Sequence, residues 1–239
     1  MIFMDVFNLP NTNLINRVFF TNGSTNWQTW QKPRNCKFVY FYIIGGGGGG
    51  GSGYSSATLN DTVGGGAAGG SSSITTGIFP SNLLPDILYI QVGVGGTGGA
   101  SATGNPQLGN PGSSGGTSYV SILPTTASSS VILASIGGGG GAGGITTGTA
   151  SGGAGGGAFL RTLGSSAGIL NYLGVVESNS GETGASAPDG AVGTNVSLSF
   201  PISAGASGGG TNAGSTTAGG SILANGIIPQ ISGGAGGGG

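Results

Sequence analysis

The side chains that could carry out chemistry in this sequence are few. The 239 residues include no histidine, one cysteine and six carboxylates. A Ser-His-Asp or Cys-His pair and a histidine-ligated metal site all need an imidazole. A single cysteine forms neither an intrachain disulfide nor a thiolate cluster. We therefore expect a protein that is not an enzyme and that holds no cofactor and no metal ion.

Three of the carboxylates, Glu177, Glu182 and Asp189, fall close together in the segment ESNSGETGASAPDG. Two of them could act as the acid and base of a glycosidase. They could also bind a hard cation such as Ca²⁺ together with backbone carbonyls. Their spacing fits no EF-hand loop, and the flanking residues are typical of a solvated surface. We interpret the segment as a surface loop, with the cation site and the catalytic pair as alternatives.

A glycine motif also invites a functional interpretation. Gly93, Gly95 and Gly98 spell G-x-G-x-x-G after a strand-like segment, as in dinucleotide-binding turns. With 59 glycines in the chain, such a match is expected by chance. No helical pattern follows, and the next acid is Glu177, although a ribose-binding carboxylate is needed about 20 residues on. Five basic residues and a net charge of −1 likewise argue against binding to nucleic acid.

The two tryptophans, Trp27 and Trp30, lie in the segment NWQTWQKP. They could form an aromatic platform for a sugar. We favour a structural role, in which they anchor the chain before the first core strand and Lys32-Pro33 turns it. Cys36, at the edge of that strand, is interpreted as a small buried hydrophobic residue.

The elements that must position these residues are β-strands. Runs of β-branched and aromatic residues bounded by Gly, Pro, Asn or Ser predict strands at 38–44, 71–79, 87–94, 117–123, 130–136, 172–178 and 195–202. Helical spacing is confined to 13–19 and 158–173. Many short strands without helical spacers predict an all-β protein built as a β-sandwich. The longest apolar run, FVYFYII, has seven residues, whereas a membrane-spanning helix needs about 20.

Blocks of glycine follow three of the predicted strands. They begin at Gly45, Gly95 and Gly137, and the reverse junction, a glycine pair leading into a Ser/Thr-rich strand, recurs at 69–74, 115–120 and 219–223. Glycine and proline at this level are typical of disorder. The mean hydropathy of +0.22 and the 5% of charged residues favour a folded chain instead. We expect some tracts to pack as polyproline II rods that satisfy one another's backbone groups, with flexible loops as the alternative.

The order of these features resembles a known kind of domain. The string W-x-x-W-x-K-P, a basic turn, an aromatic strand and GGGGGGGSG resemble the start of glycine-rich domains in bacteriophage tail and fibre proteins. VGVGGTGG, GGTSYV and IGGGGGAGG are similar to the rest of that domain, over about residues 25 to 144. GGAGGG, SAGASGGG and GGAGGGG resemble the tract-rich parts of phage adhesins. That resemblance implies polyproline II packing of the tracts and a trimeric homo-oligomer.

These features predict three parts of the chain: an N-terminal docking segment (1–24), a glycine-rich β-sandwich (25–144) and a second glycine-rich region, partly β and partly polyproline II (145–239). The predicted function is a virion structural protein at the particle surface, in a phage tail fibre or other appendage, with other virion proteins as partners. One alternative is an adhesin module that binds a host receptor or glycan through loops such as 54–62, 103–114 and 177–190. Another is a secreted glycine-rich coat protein.

Overall fold

The fold is given by a computed structural model. It describes residues 16–21, 25–58, 61–159, 174–197, 202–205, 207–212, 215–223, 230–231 and 233–238. Within these ranges every regular element is a β-strand apart from a 3₁₀ turn at Ser81–Leu83. The all-β prediction is therefore confirmed, and the segments with helical spacing lie mostly outside the described residues.

The strands are numbered in chain order. They are β1 (Gln28–Gln31), β2 (Phe38–Ile44), β3 (Ile74–Pro80), β4 (Ile87–Gln91), β5 (Ser118–Ser121), β6 (Val131–Ser135), β7 (Thr149–Ala150), β8 (Val175–Asn179), β9 (Ala187–Pro188), β10 (Val196–Ser197), β11 (Ile202–Ser203), β12 (Thr211–Asn212), β13 (Ser215–Thr216), β14 (Ile222–Leu223) and β15 (Gln230–Ile231). The runs at 38–44, 71–79, 87–94, 117–123, 130–136 and 172–178 each contain all or most of one longer strand. The predicted strand at 195–202 corresponds only to β10 and the start of β11, and residues 198–201 lie outside the described ranges.

Two antiparallel sheets contain the longer strands. One has the order β1-β4-β5-β6 and the other the order β2-β3-β8. In the second sheet β2 pairs with β3 along its whole length, from Phe38 opposite Pro80 to Ile44 opposite Ile74. The remaining strands form pairs of two-residue strands: β7 with β9, β10 with β14, β11 with β15 and β12 with β13.

A single cluster of apolar side chains draws on both larger sheets. Phe79, Leu88, Ile132 and Leu133 are completely buried in it. Aromatic rings extend the cluster: the Phe41 ring lies edge-on to Phe79, with ring centroids 5.9 Å apart. Alternate residues of β2 and β4 point into this core, which is why the alternating and β-branched runs of the sequence form strands here.

The glycine-rich segments between the strands lie side by side and are linked by backbone hydrogen bonds. We call them tracts I (45–53), II (64–73), III (93–99), IV (109–116), V (137–145), VI (151–157), VII (181–185), VIII (205 and 207–210) and IX (233–238). Tract II is bonded to tracts I and V and also to tracts VI to IX. Backbone contacts therefore cross the predicted boundary at residue 144, as does the pairing of β3 with β8.

Candidate functional site: glycine tracts in backbone contact

The three clustered carboxylates are spread along the structure. Glu177 lies opposite Thr76 in the β3–β8 pair, the Glu182 carbonyl accepts a hydrogen bond from the Ser71 amide, and Asp189 bridges to Gly64. The three partners, Thr76, Ser71 and Gly64, lie on one extended segment and are five and seven residues apart along it. At a rise of about 3.1–3.4 Å per residue, this spacing places neighbouring acids roughly 15 to 24 Å apart. No group of three potential metal-ligating side chains is found among the described residues.

The tryptophans take structural positions. Trp30 lies in β1 and packs against the core, with its ring 6.0 Å from Phe41 in an edge-on arrangement. Trp27 packs against Tyr119 at 6.2 Å. The predicted anchoring role is confirmed for Trp30. Cys36 is half-buried against the same core rather than fully buried, because it lies in the turn before β2.

Lys32 has a role that the sequence did not reveal. Its ammonium group donates to the carbonyl oxygens of Ser81 and Leu84, at 2.9 and 2.7 Å, and lies 3.1 Å from the Asp86 carboxylate. These contacts tie β1 to the 3₁₀ turn before β4. Only the turn-forming Lys-Pro pair was visible in the sequence, since the acceptors are backbone carbonyls about fifty residues away.

The outer face of the β2-β3-β8 sheet is aromatic and exposed. Phe38, Tyr40 and Tyr42 alternate along β2 and are 65%, 57% and 49% exposed. The register places Ile78 beside Tyr40, and Val175 beside Ile78, on the same face. Burial and, less strongly, the charge of Glu177 raise the pKa of the Tyr40 phenol. That hydroxyl is therefore neutral and able to donate a hydrogen bond at physiological pH.

Tract II shows how the tracts are arranged. Its six consecutive amides from Gly66 to Ser71 donate in turn to tracts IX, V, VII, IX, V and VII, at 2.7 to 2.9 Å. Its carbonyls over the same residues accept from tracts VIII, I, VI, VIII, I and VI. Each neighbour recurs every third residue. Tract II therefore has six neighbours, and all its backbone groups from residue 66 to 71 are satisfied without a β-ladder.

Glycine is required here by close approach rather than by unusual backbone angles. A Cβ atom on Gly48 would lie 1.8 Å from the Gly139 carbonyl oxygen, and one on Gly66 would lie 2.0 Å from the Gly51 carbonyl oxygen. Ordinary carbon–oxygen contacts of this kind are about 3.3–3.6 Å. Among the described glycines only Gly148 and Gly190 have positive φ. The glycine blocks therefore allow one backbone to touch the next.

Alanine and serine replace glycine at a few interior positions. Ala67 and Ala68 of tract II are completely buried, Ala67 against Ala142, Ala150 and Ala187, and Ala68 against Ala185. A methyl group is therefore tolerated where another methyl group faces it. These pairs were not recognisable in the sequence, because the partners lie in different tracts.

Serine hydroxyls join the tracts to the sheets at the recurrent junctions. The Ser118 hydroxyl donates to the Ile44 carbonyl at 2.7 Å and accepts from the Gly93 amide at 2.9 Å. The Ser73 hydroxyl accepts from the Ile136 amide at 2.7 Å. Each of these contacts lies where a strand meets a glycine tract. This accounts for the Gly-Gly-Ser/Thr pattern at two of the three junctions noted in the sequence.

Comparison with known proteins identifies the family. A family model described as a glycine-rich domain matches residues 21–239, and the chain belongs to that family. No curated protein matches the sequence. In the described part of the chain, no helix is long and apolar enough to cross a bilayer.

Proposed function

We propose that the protein is a non-enzymatic structural component of a virion, within a phage tail fibre or another surface appendage, and that its glycine tracts are polyproline II rods packed into a bundle. The observation that carries this proposal is the three-residue repeat of hydrogen-bond partners along tract II. Polyproline II has three residues per turn and no internal hydrogen bonds, so its amides and carbonyls project to neighbours in three repeating directions. The two larger sheets, which share one core, would form the sandwich that carries the bundle.

Such a bundle suits a particle component that must stay folded under mechanical load and outside the cell. Its interior consists of backbone groups bonded to backbone groups and holds few side chains that could be oxidised or titrated. The whole chain has 11 charged residues out of 239, so its stability should depend little on pH and salt. The resemblance to glycine-rich phage fibre domains supplies the assignment to a virion, with a trimer as the expected assembly and other virion proteins as partners.

Localisation tests this proposal. Antibodies raised against the purified protein would be applied to phage particles released from the cells that carry the gene, with particles from a deletion strain as the control. We expect gold label on a surface appendage and loss of that appendage or of infectivity in the deletion strain. Label confined to cell material, with none on particles, would contradict the virion assignment.

A glycan-binding adhesin module is the second candidate, and the exposed face of β2 favours it. Phe38, Tyr40 and Tyr42 present three aromatic side chains in a row, and aromatic faces with a neighbouring hydroxyl suit sugar rings. A glycan array followed by calorimetry would test it. Tyr40→Ala should reduce affinity at least tenfold, whereas Leu108→Ala, which removes an exposed apolar side chain elsewhere, should leave it unchanged. Failure of the protein to retain any glycan would remove this candidate.

A further inference from the structure

In the part of the chain that the structure describes, tract I has one neighbour fewer than tract II. Residues 46, 49 and 52 donate to tract IV and accept from tract V, and residues 48 and 51 donate to tract II and accept from tract IX. Residues 47 and 50 accept from tract III. Among the described residues, however, no backbone carbonyl receives a hydrogen bond from the amides of Gly47 and Gly50. The third set of donors on tract I thus faces a position that none of the described tracts fills.

A groove lies at that position. It has a volume of about 600 Å³ and runs between tract III and tract IX along the second half of tract I. Its lining includes Gly50, Ser52, Gly98 and Gly237. Gly50 lines the groove, and its amide has no acceptor among the described residues. The groove therefore lies beside the part of tract I that carries this amide. In tract II all six positions are filled, so the groove corresponds to the sixth position around tract I.

The geometry restricts what can enter this groove. An occupant must present a carbonyl to Gly47 and Gly50, and therefore at every third residue of an extended chain. It must also approach as closely as the other neighbours of tract I. Their carbonyl oxygens would lie about 2 Å from a Cβ atom placed on a glycine of tract I. A segment with side chains on the facing residues is excluded by the same contacts. These requirements describe another glycine tract.

We propose that the groove binds a glycine tract of a second copy of this chain. The copy carries a suitable segment beside its own groove, because tract III is the outer wall of that groove. Gly95 and Gly98 of tract III are exposed, and within the described residues their amides and carbonyls make no backbone hydrogen bond. We call this exposed tract III the ridge. Because the ridge and the groove lie side by side on one molecule, two copies can bind each other reciprocally, or several copies can bind in sequence around a closed ring.

Two substitutions distinguish this contact from the internal packing. A Cβ on Gly98 would meet only the Gly50 carbonyl oxygen, at 3.7 Å, so a side chain there fits the single chain but obstructs both the ridge and the groove. A Cβ on Gly157 would meet only the Ile136 side chain, at 3.9 Å, away from the groove. Gly98→Leu is therefore the test variant and Gly157→Leu its matched control.

Sedimentation equilibrium over a concentration series is the measurement. We expect the unaltered chain and Gly157→Leu to sediment as a multimer of the 22.6 kDa chain, and Gly98→Leu to weaken association at least tenfold. A monomeric unaltered chain, or equal association of both variants, would overturn the proposal. This inference depends on the proposed tract packing, and thermal unfolding separates the two. A monomer with a cooperative, unchanged transition would leave the bundle intact and reject only the groove contact.

Discussion

The two halves of the interior are held together in different ways. In the sheets, Phe79, Leu88 and Leu133 remove apolar side chains from water, and burial of such a side chain contributes about 1.5–3 kcal/mol. In tract II, the buried residues have small side chains or none, and each residue from 66 to 71 makes backbone hydrogen bonds in both directions. The first half is a core of side chains, and the second is a core of backbone.

The difference has an energetic consequence. A protein hydrogen bond contributes about 0.5–1.5 kcal/mol net, while fixing the backbone of one residue costs about 1–2 kcal/mol. With one shared bond per residue, a glycine tract is close to balance, so its order depends on having every neighbour in place. The sheet core, in contrast, has an apolar surplus that should survive the loss of a single contact.

The largest expected effect comes from removing the neighbours. A chain ending at residue 144 lacks tracts VI to IX, which are four of the six neighbours of tract II. We expect tract II to lose its order and the truncated chain to unfold without cooperativity or to aggregate. Differential scanning calorimetry of the truncated and full-length chains measures this. If the truncated chain unfolds cooperatively at the full-length transition temperature, the tracts do not depend on one another.

A cavity in the sheet core is expected to have the next largest effect. Phe79→Ala should lower the free energy of unfolding by about 3–5 kcal/mol, because the ring is completely buried and touches Phe41. Urea denaturation measures the loss. Phe38→Ala, on the exposed face of the neighbouring strand, is the control and should change stability by less than about 1 kcal/mol. Equal losses from both variants would contradict the assigned core.

A single methyl group in the backbone core should have a smaller but more diagnostic effect. Gly48→Ala places a Cβ 1.8 Å from the Gly139 carbonyl oxygen and should cost about 3 kcal/mol, the upper end of typical overpacking. At Gly157 a Cβ meets only the Ile136 side chain, at 3.9 Å, so Gly157→Ala should be neutral or stabilise by about 0.4–1 kcal/mol. If both substitutions have the same effect on urea denaturation, the tracts are not in close contact.

The sequence predicted the sheets well and the tract arrangement only in outline. The aromatic run at 38–44 became β2 residue for residue, because strand propensity and burial act over a few neighbouring residues. Ordered packing of the tracts was predicted as a possibility. Their partners were not, because a glycine carries no side chain whose pattern could indicate which backbone it touches.

The site residues show the same division. The carboxylates Glu177, Glu182 and Asp189 are close in sequence, yet their extended backbone separates them in space. Lys32 has its effect through distant carbonyls and therefore left no local signal. Strand β1 was missed because its sequence, QTWQ, has little hydrophobic content, and its pairing with β4 depends on that neighbour.

Hydrogen exchange of the tract II amides tests the central claim most directly. Mass spectrometry with fragmentation, or NMR on a labelled chain, would follow residues 66 to 71. We expect all six amides to be protected to a degree similar to those of β6, although they lie in no strand. Exchange of these amides within seconds, at the rate of an unfolded chain, would contradict the existence of a backbone core.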